Sequence, residues 1–138
     1  MRQTAPARTL LLALTASLAA ALAGCQVVER THGSTGIVGR YNSFDFHADL
    51  PAETTVPAVV AAAEASFRDM GYTVVSSSST EQSGTVVGRP PRLNDYPVVR
   101  VRAVQRDGAI RVYINKEPIN EEALVRGVLS RILEKLGL

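Results

Sequence analysis

The stretch Val98-Val99-Arg100-Val101-Arg102-Ala103-Val104-Gln105-Arg106-Asp107-Gly108-Ala109-Ile110-Arg111-Val112-Tyr113-Ile114-Asn115 carries the strongest fold signal in this sequence of 138 residues. Two runs of alternating apolar and polar residues flank the dipeptide Asp107-Gly108. Alternation is typical of a strand with one buried face, and Asp-Gly favours the tight turn of a hairpin. We therefore expect strands over 98–104 and 109–115, joined by a short turn.

The side chains of this hairpin separate onto two faces, because successive residues of a strand point to opposite sides of the sheet. One face is apolar and consists of Val99, Val101, Ala103, Ile110, Val112 and Ile114. The other carries Arg100, Arg102, Arg111 and Tyr113. We expect these last four residues to share a face that is open to solvent.

The segments before the hairpin predict a strand, a helix and two further strands. Phe44, Phe46 and Ala48 alternate with polar residues and indicate a half-buried strand. A helix follows, capped by Thr54 or Thr55 and ended by Gly71. Short β segments are expected over 72–77 and 84–89, with polar connections over 76–83 and 90–97.

The C-terminal segment predicts an amphipathic helix. Asn120 is a good N-cap residue, and Ile119 and Leu124 have the spacing of a hydrophobic staple. An apolar stripe from Leu124 to Leu136 lies opposite Arg126, Arg131 and Lys135. The resulting order β-α-β-β-β-β-α predicts an α+β fold, in which an antiparallel sheet of four to five strands carries both helices on one face of a two-layer sandwich.

The N-terminus has the layout of a secretory signal. Arg2 and Arg8 precede an uncharged stretch, Thr9 to Ala23. This stretch is shorter than the ~20 residues that a membrane-spanning helix needs. Residues 1–24 are therefore predicted to be a cleaved signal peptide.

The tetrapeptide Leu22-Ala23-Gly24-Cys25 resembles the lipobox of bacterial lipoproteins. The resemblance implies that the signal peptidase recognises Leu22, Ala23 and Gly24, and that Cys25 receives a diacylglyceryl group and an N-acyl chain such as palmitate. It implies no other cofactor. Cys25 is the single cysteine of the chain, and the alternative interpretation is a buried free thiol. Gln26 resembles the residue class that permits delivery to the outer membrane, facing the periplasm, in cells with two membranes.

The predicted mature chain divides into a tether and a domain. Residues 25–40 contain three glycines without a sustained period and indicate a flexible tether. The domain, residues 41–138, resembles an uncharacterised family of small bacterial lipoproteins, classed as a domain of unknown function. The resemblance covers Tyr41 to Leu136 and depends on the order of four elements. These are a strand, a helix bounded by Pro51-Ala52 and Gly71-Tyr72, a β meander, and a terminal helix ending in Ile132-Leu133-Glu134-Lys135. It implies a fold and a location, but no activity.

Charge argues against nucleic acid as a partner. The chain has 15 Lys and Arg residues, of which Arg2 and Arg8 lie in the leader, so 13 remain against 13 Asp and Glu. The side-chain charge of the mature chain is therefore balanced, without the basic excess that nucleic-acid binding requires.

Catalytic and metal-binding patterns are weak. Asp45, His47 and Asp49 share a strand face but are expected to form a solvated surface rather than a metal site. The serine run Ser76–Ser79 has no surrounding nucleophile motif and is interpreted as a loop. The sequence therefore predicts a protein that is not an enzyme and has no metal site.

The segment Arg89-Pro90-Pro91-Arg92, followed by Tyr96, is the most distinctive local stretch. Prolines hold an extended loop that exposes its arginines and Tyr96 to a partner. The alternative is a stiff surface connection whose prolines prevent edge pairing.

Two functional hypotheses remain. The first is a noncatalytic interaction or structural module of the cell envelope, anchored to the membrane by lipid, which contacts an envelope protein or a cell-wall polymer through Arg89, Arg92, Tyr96 and the open sheet face. The second is a small-ligand-binding protein or an enzyme with a site between the sheet and the helices. The low aromatic content, with no tryptophan, favours the first.

Overall fold

The computed structural model describes residues 26–91 and 97–138. The predicted signal peptide and lipobox, Cys25 included, lie outside the described residues, as do Arg92 and Tyr96. No helix within the described ranges is both long enough and apolar enough to cross a membrane.

Residues 26–91 and 97–138 form one antiparallel sheet and two helices, which confirms the predicted α+β class. The sheet has seven strands rather than four to five, in the order β1-β2-β3-β7-β6-β5-β4. The strands are β1 (Val28–His32), β2 (Ile37–Tyr41), β3 (Phe46–Leu50), β4 (Thr73–Ser79), β5 (Ser83–Arg89), β6 (Val98–Arg106) and β7 (Ala109–Glu117). The helices are α1 (Val56–Asp69) and α2 (Glu122–Leu136).

Both helices cover the apolar face of the sheet. Helix α1 packs on β4, β5 and β6, helix α2 packs on β7 and β1, and the helices pack against each other. The largest fully buried side chains include Phe46, Phe67, Ile114, Leu129, Ile132 and Leu133. Burial of these side chains is the main stabilising contribution, at about 25 cal/mol per Å² of apolar surface.

The prediction of a flexible tether over residues 25–40 is wrong for residues 28–40, which form β1, the following turn and most of β2. The glycines that suggested a linker have structural roles. Gly33 and Gly36 adopt positive φ angles of 69° and 70° in the turn. A Cβ atom on Gly39 would lie 2.9 Å from the ring of Phe46. The folded unit therefore begins at Val28 instead of Tyr41.

The interpretation of the serine run as a loop is also wrong. Ser76, Ser77, Ser78 and Ser79 belong to β4, which pairs with β5 at the edge of the described sheet. The strand is largely exposed, so hydroxyl side chains replace the apolar alternation that would have revealed it. The hydroxyl of Ser77 donates a hydrogen bond to Glu64 on α1.

The central hairpin is confirmed. The turn consists of Asp107 and Gly108, with φ angles of 52° and 80°. Positive φ at both central residues is the type I′ geometry, which suits the twist of the adjoining strands. The register places Val101 opposite Ile114 and Arg102 opposite Tyr113.

The caps of α1 follow the prediction, whereas the start of α2 does not. The Thr55 hydroxyl accepts a hydrogen bond from the backbone N–H of Ala58, 3.3 Å away, and Gly71 has a φ of 72°. Helix α2 has Glu121, not Asn120, at its N-cap. The Asn120 side chain instead accepts a hydrogen bond from the Lys116 backbone N–H. The predicted staple is wrong because Ile119 is 75% exposed.

Candidate interaction surface

The four residues predicted to share the open face of the sheet do so. Arg100 and Arg102 on β6 alternate with buried Val99, Val101 and Ala103. Arg111 and Tyr113 on β7 alternate with buried Ile110, Val112 and Ile114. The helices cover the buried side, so these four residues point to solvent. Tyr113 is paired with Arg102 on one side and with His47 of β3 on the other.

The strongest polar contact on this face joins Arg111 to Asp49. These residues are direct neighbours on β7 and β3, and the guanidinium donates two hydrogen bonds, from Nε to Oδ1 at 2.6 Å and from Nη2 to Oδ2 at 2.9 Å. The hydrogen bonds from Arg111 lower the pKa of Asp49 and outweigh the opposing effect of partial burial. The same contact raises the pKa of Arg111. A bidentate pair of this kind fixes both side chains more firmly than a single ion pair.

A second ion pair extends the row of charges toward the edge of the sheet. Arg40 on β2 lies 2.8 Å from the Glu29 carboxylate on β1, and its Nη1 is 3.7 Å from Asp49. Exposed pairs such as Arg40–Glu29 contribute about 0–1 kcal/mol each. Their main effect is therefore to set the charge pattern of the surface.

The trio Asp45, His47 and Asp49 does not converge on one point. His47 Nδ1 is 3.1 Å from Asp45 Oδ2, and its ring lies 5.8 Å from the ring of Tyr113, whereas Asp49 is engaged by Arg111. Within residues 26–91 and 97–138, no three His, Cys, Asp or Glu side chains are placed to hold a metal ion.

The two arginines of β6 differ in their surroundings. Arg100 is paired with Glu117 at 3.1 Å. Arg102 is exposed, and among the described residues it has neither a hydrogen-bonding nor an ion-pair partner. Its neighbours across the strands are Thr85 and Tyr113. Arg102 therefore offers an uncommitted cation beside an aromatic ring.

The proline segment is described only in part. Arg89 ends β5, where it pairs with Thr73 of β4, and it is half-buried. Pro90 is half-buried and Pro91 is exposed. Because Arg92 and Tyr96 lie outside the described residues, their role in a contact surface stays a prediction.

The sequence pattern placed Arg126 on the polar side of α2, but this residue is only 7% exposed. Its guanidinium donates to the backbone oxygens of Val28 at 2.8 Å and Gly39 at 3.1 Å, and its Nε donates to Glu122 at 2.8 Å. It also lies 5.3 Å from the centre of the Phe46 ring. Arg126 thus fastens β1 and β2 to α2. The only sequence signal of this contact is Glu122, four residues before Arg126, and a Glu–Arg pair at that spacing usually lies on an exposed helix face.

His32 completes this contact. Its Nε2 is 3.2 Å from Arg126 Nη1, and its Nδ1 is 3.1 Å from the Ser130 hydroxyl. Arginine only donates, so Nε2 is the acceptor and Nδ1 carries the hydrogen that the hydroxyl accepts. Burial, followed by the charges of Arg126 and Arg30, lowers the pKa of His32. The neutral imidazole is therefore part of the folded structure.

A recess of about 390 Å³ opens to solvent where α1 begins. Thr54, Thr55, Glu81 and Gln105 contribute polar groups, and most of its lining residues are exposed. The volume is within the range of small-ligand sites, which spans about 300–1,000 Å³. The recess lies at the edge of the two layers, whereas the alternative hypothesis requires a site between them.

The space between the layers is filled mainly by aliphatic and aromatic side chains. Ser66 and Arg126 are the buried polar residues of the described ranges. Ser66 donates to the Ala62 carbonyl oxygen, and every buried polar side-chain atom in these ranges has a partner. The interior of the described ranges therefore contains no cluster of polar side chains that could bind a ligand.

Comparison with known proteins finds no matching family model, no significantly similar curated protein and no significantly similar solved structure. The expected relation to small bacterial lipoproteins thus stays a prediction from the sequence.

Proposed function

We propose that the protein is a lipid-anchored lipoprotein of the bacterial envelope whose domain is a noncatalytic interaction module. Its partner is an envelope protein or a cell-wall polymer that carries carboxylate or phosphate groups. The observation that carries the proposal is the open sheet face, where Arg102 stands uncommitted beside Tyr113 while the neighbouring arginines are held by carboxylates.

The anchoring part of the proposal is supported by the N-terminal sequence. A basic start, an uncharged apolar stretch and Leu22-Ala23-Gly24-Cys25 follow one another in the order that lipoprotein export requires. A diacylglyceryl group with an added N-acyl chain holds a protein stably, since each buried methylene contributes about 0.8 kcal/mol. Gln26 favours the outer membrane, facing the periplasm, if the cell has two membranes.

The interaction part is supported by the contrast between the surface and the interior. Arginine and tyrosine are enriched where proteins contact one another, and a planar guanidinium suits carboxylate or phosphate oxygens. Arg111 is held in place by Asp49, so a partner meets a largely preorganised surface. The described interior, in contrast, is filled by apolar side chains with satisfied polar groups.

Replacing Cys25 with alanine is expected to abolish lipid attachment and release the protein from the membrane, because the thiolate accepts the diacylglyceryl group. The measurement is metabolic labelling with an alkyne analogue of palmitate, followed by separation of membrane and soluble fractions. Wild-type protein should carry the label and sediment with membranes. Continued sedimentation of the Cys25→Ala protein with membranes would make the anchor assignment wrong.

Reversing the charge of Arg102 is expected to reduce recovery of the partner about tenfold, the effect of losing about 1.4 kcal/mol of binding energy. The measurement is crosslinking in intact cells and quantitative capture of the full-length lipidated protein carrying Arg102→Glu. Arg131→Glu makes the same charge change on the exposed side of α2, in the helical layer, and should leave recovery unchanged. Equal recovery for wild type and both variants would exclude the open face as the contact surface. Digesting the cell wall before capture separates a polymer from a protein partner.

A further inference from the structure

Four apolar side chains are exposed at the start of β1 and in two of the connections. Phe44 is 82% exposed, Ile119 is 75% exposed, Val27 is 54% exposed and Val28 is 37% exposed. Single exposed apolar residues need no explanation, but a group of them marks an interaction site. We call the surface formed by Val27, Val28, Phe44 and Ile119 the apolar end.

The sheet register places these residues at one end of the domain. Val28 pairs with Tyr41, and Tyr41 pairs with Phe46, so the start of β1 lies beside the β2–β3 turn that contains Phe44. Because β3 and β7 are antiparallel, the end of β7 and the following Ile119 are at the same end. The four strands β1, β2, β3 and β7 are adjacent and about 4.8 Å apart, which puts the apolar end within a width of about 15 Å.

Two contacts hold the loops of this end in place. The Tyr41 hydroxyl is 3.4 Å from the Asn120 backbone oxygen, which joins the end of β2 to the segment after β7. The Asn42 side chain accepts hydrogen bonds from the backbone N–H groups of Phe44 and Asp45, at 2.9 and 2.7 Å. Phe44 is therefore exposed by a fixed turn. The prediction that Phe44 belongs to a strand is wrong, because β3 begins at Phe46.

Ion pairs neutralise two carboxylates near the apolar end, and Asp45, next to Phe44, is hydrogen-bonded to His47. Glu117 is paired with Arg100 at 3.1 Å, and Glu121 is paired with Lys116 at 2.6 Å. Paired charges weaken the repulsion that unpaired carboxylates would meet at an anionic surface. The apolar end can therefore approach lipid headgroups.

Chain length identifies the surface that covers this end. Three peptide steps separate Cys25 from Val28, and an extended chain spans at most about 3.6 Å per residue, or about 11 Å. We propose that the apolar end lies on the bilayer surface into which the acyl chains of Cys25 insert. This inference depends on the proposed lipidation of Cys25 and adds a direct contact between the folded domain and lipid.

The test places a tryptophan in the apolar end of the full-length, lipidated protein. The sequence contains no tryptophan, so Phe44→Trp supplies a single tryptophan that can be excited selectively. The protein is reconstituted into vesicles of phosphatidylethanolamine and phosphatidylglycerol, with or without phosphatidylcholine brominated on its acyl chains. We expect the tryptophan emission maximum to lie at a shorter wavelength on vesicles than in detergent-free buffer with urea. We also expect the brominated lipid to quench most of the tryptophan emission. An Ile119→Trp variant should behave in the same way.

The control is Thr35→Trp, in the exposed β1–β2 turn at the opposite end of the sheet, whose emission should not change with brominated lipid. If the lipid label is present on Cys25 and the protein is bound to vesicles, but Phe44→Trp and Ile119→Trp are quenched no more than Thr35→Trp, the anchor stands and the membrane contact is overturned. If Cys25 carries no label, the proposed anchor fails first, and the membrane contact fails with it.

Discussion

Replacing Arg126 with alanine is expected to lower the free energy of unfolding by about 3 kcal/mol, because each hydrogen bond from a charged group contributes about 1.5–3 kcal/mol. The substitution removes the donors that satisfy the Val28 and Gly39 carbonyl oxygens. It also removes the cation from the face of the Phe46 ring and leaves a gap beneath β1 and β2.

The measurement is urea unfolding followed by far-ultraviolet circular dichroism. Arg131→Ala removes the same kind of side chain from an exposed position five residues later on α2, and we expect it to change stability by less than about 0.5 kcal/mol. Arg126→Lys should be nearly as damaging as the alanine variant, since one ammonium group cannot reproduce the forked contacts. A loss of less than about 1 kcal/mol for Arg126→Ala would mean that water replaces the guanidinium, and the buried contact would not be a main source of stability.

Substituting alanine for Gly88 is expected to destabilise the fold by about 2 kcal/mol, within the usual cost of overpacking a core. Gly88 lies on the helix-facing side of β5, and an added Cβ would be 2.7 Å from Cδ2 of Phe67. Phe67 is fully buried and stacked on Tyr72 with ring centres 5.7 Å apart, so its ring has little room to retreat. In an unconstrained strand the same substitution would be favourable, because glycine is a poor strand former.

The control for Gly88 is the same substitution at Gly127, an exposed position of α2 where an added Cβ would meet no atom within 4 Å. Gly127→Ala should raise stability by about 0.5–1 kcal/mol through helix propensity. Opposite signs for the two variants in one urea series are the expected result. If both substitutions stabilise the protein, α1 can move away from the sheet at little cost to make room for the added methyl group at position 88.

The parts of the fold that were predicted have local causes. Asp107 and Gly108 determine their own turn, and Thr55 and Gly71 determine the limits of α1 through hydrogen bonds and backbone angles within a few residues. The predicted start of α2 is one residue too early, because the Asn120 side chain accepts a hydrogen bond from the Lys116 backbone N–H and does not cap the helix.

The parts that were missed depend on contacts between distant residues. Gly39 looks like a linker glycine until Phe46 is placed against it, and Arg126 looks like a surface cation until β1 and β2 supply its acceptors. The serine run is a strand only because β5 pairs with it. The periodicity of one sequence does not show which distant residues will come into contact.

The candidate surface was predicted in outline and not in detail. Alternation along β6 and β7 was sufficient to place Arg100, Arg102, Arg111 and Tyr113 on one face. Which arginines are engaged depends on the pairing of β3 with β7, which brings Asp49 to Arg111 across a large separation in sequence. Arg102 stands out only once those pairs are known.

The position of β1 at the edge of the sheet has a mechanical consequence. If lipid holds Cys25 while a partner pulls on the domain, the load enters along the axis of β1. The hydrogen bonds to β2 run across the strands, so five residue pairs from Val28–Tyr41 to His32–Ile37 resist together in shear and are not opened one at a time. Arg126 donates a hydrogen bond to the Val28 carbonyl oxygen, at the end of β1 to which the force would be applied. If the proposed anchor and partner exist, the β1–β2 pairing would carry the force between them in shear.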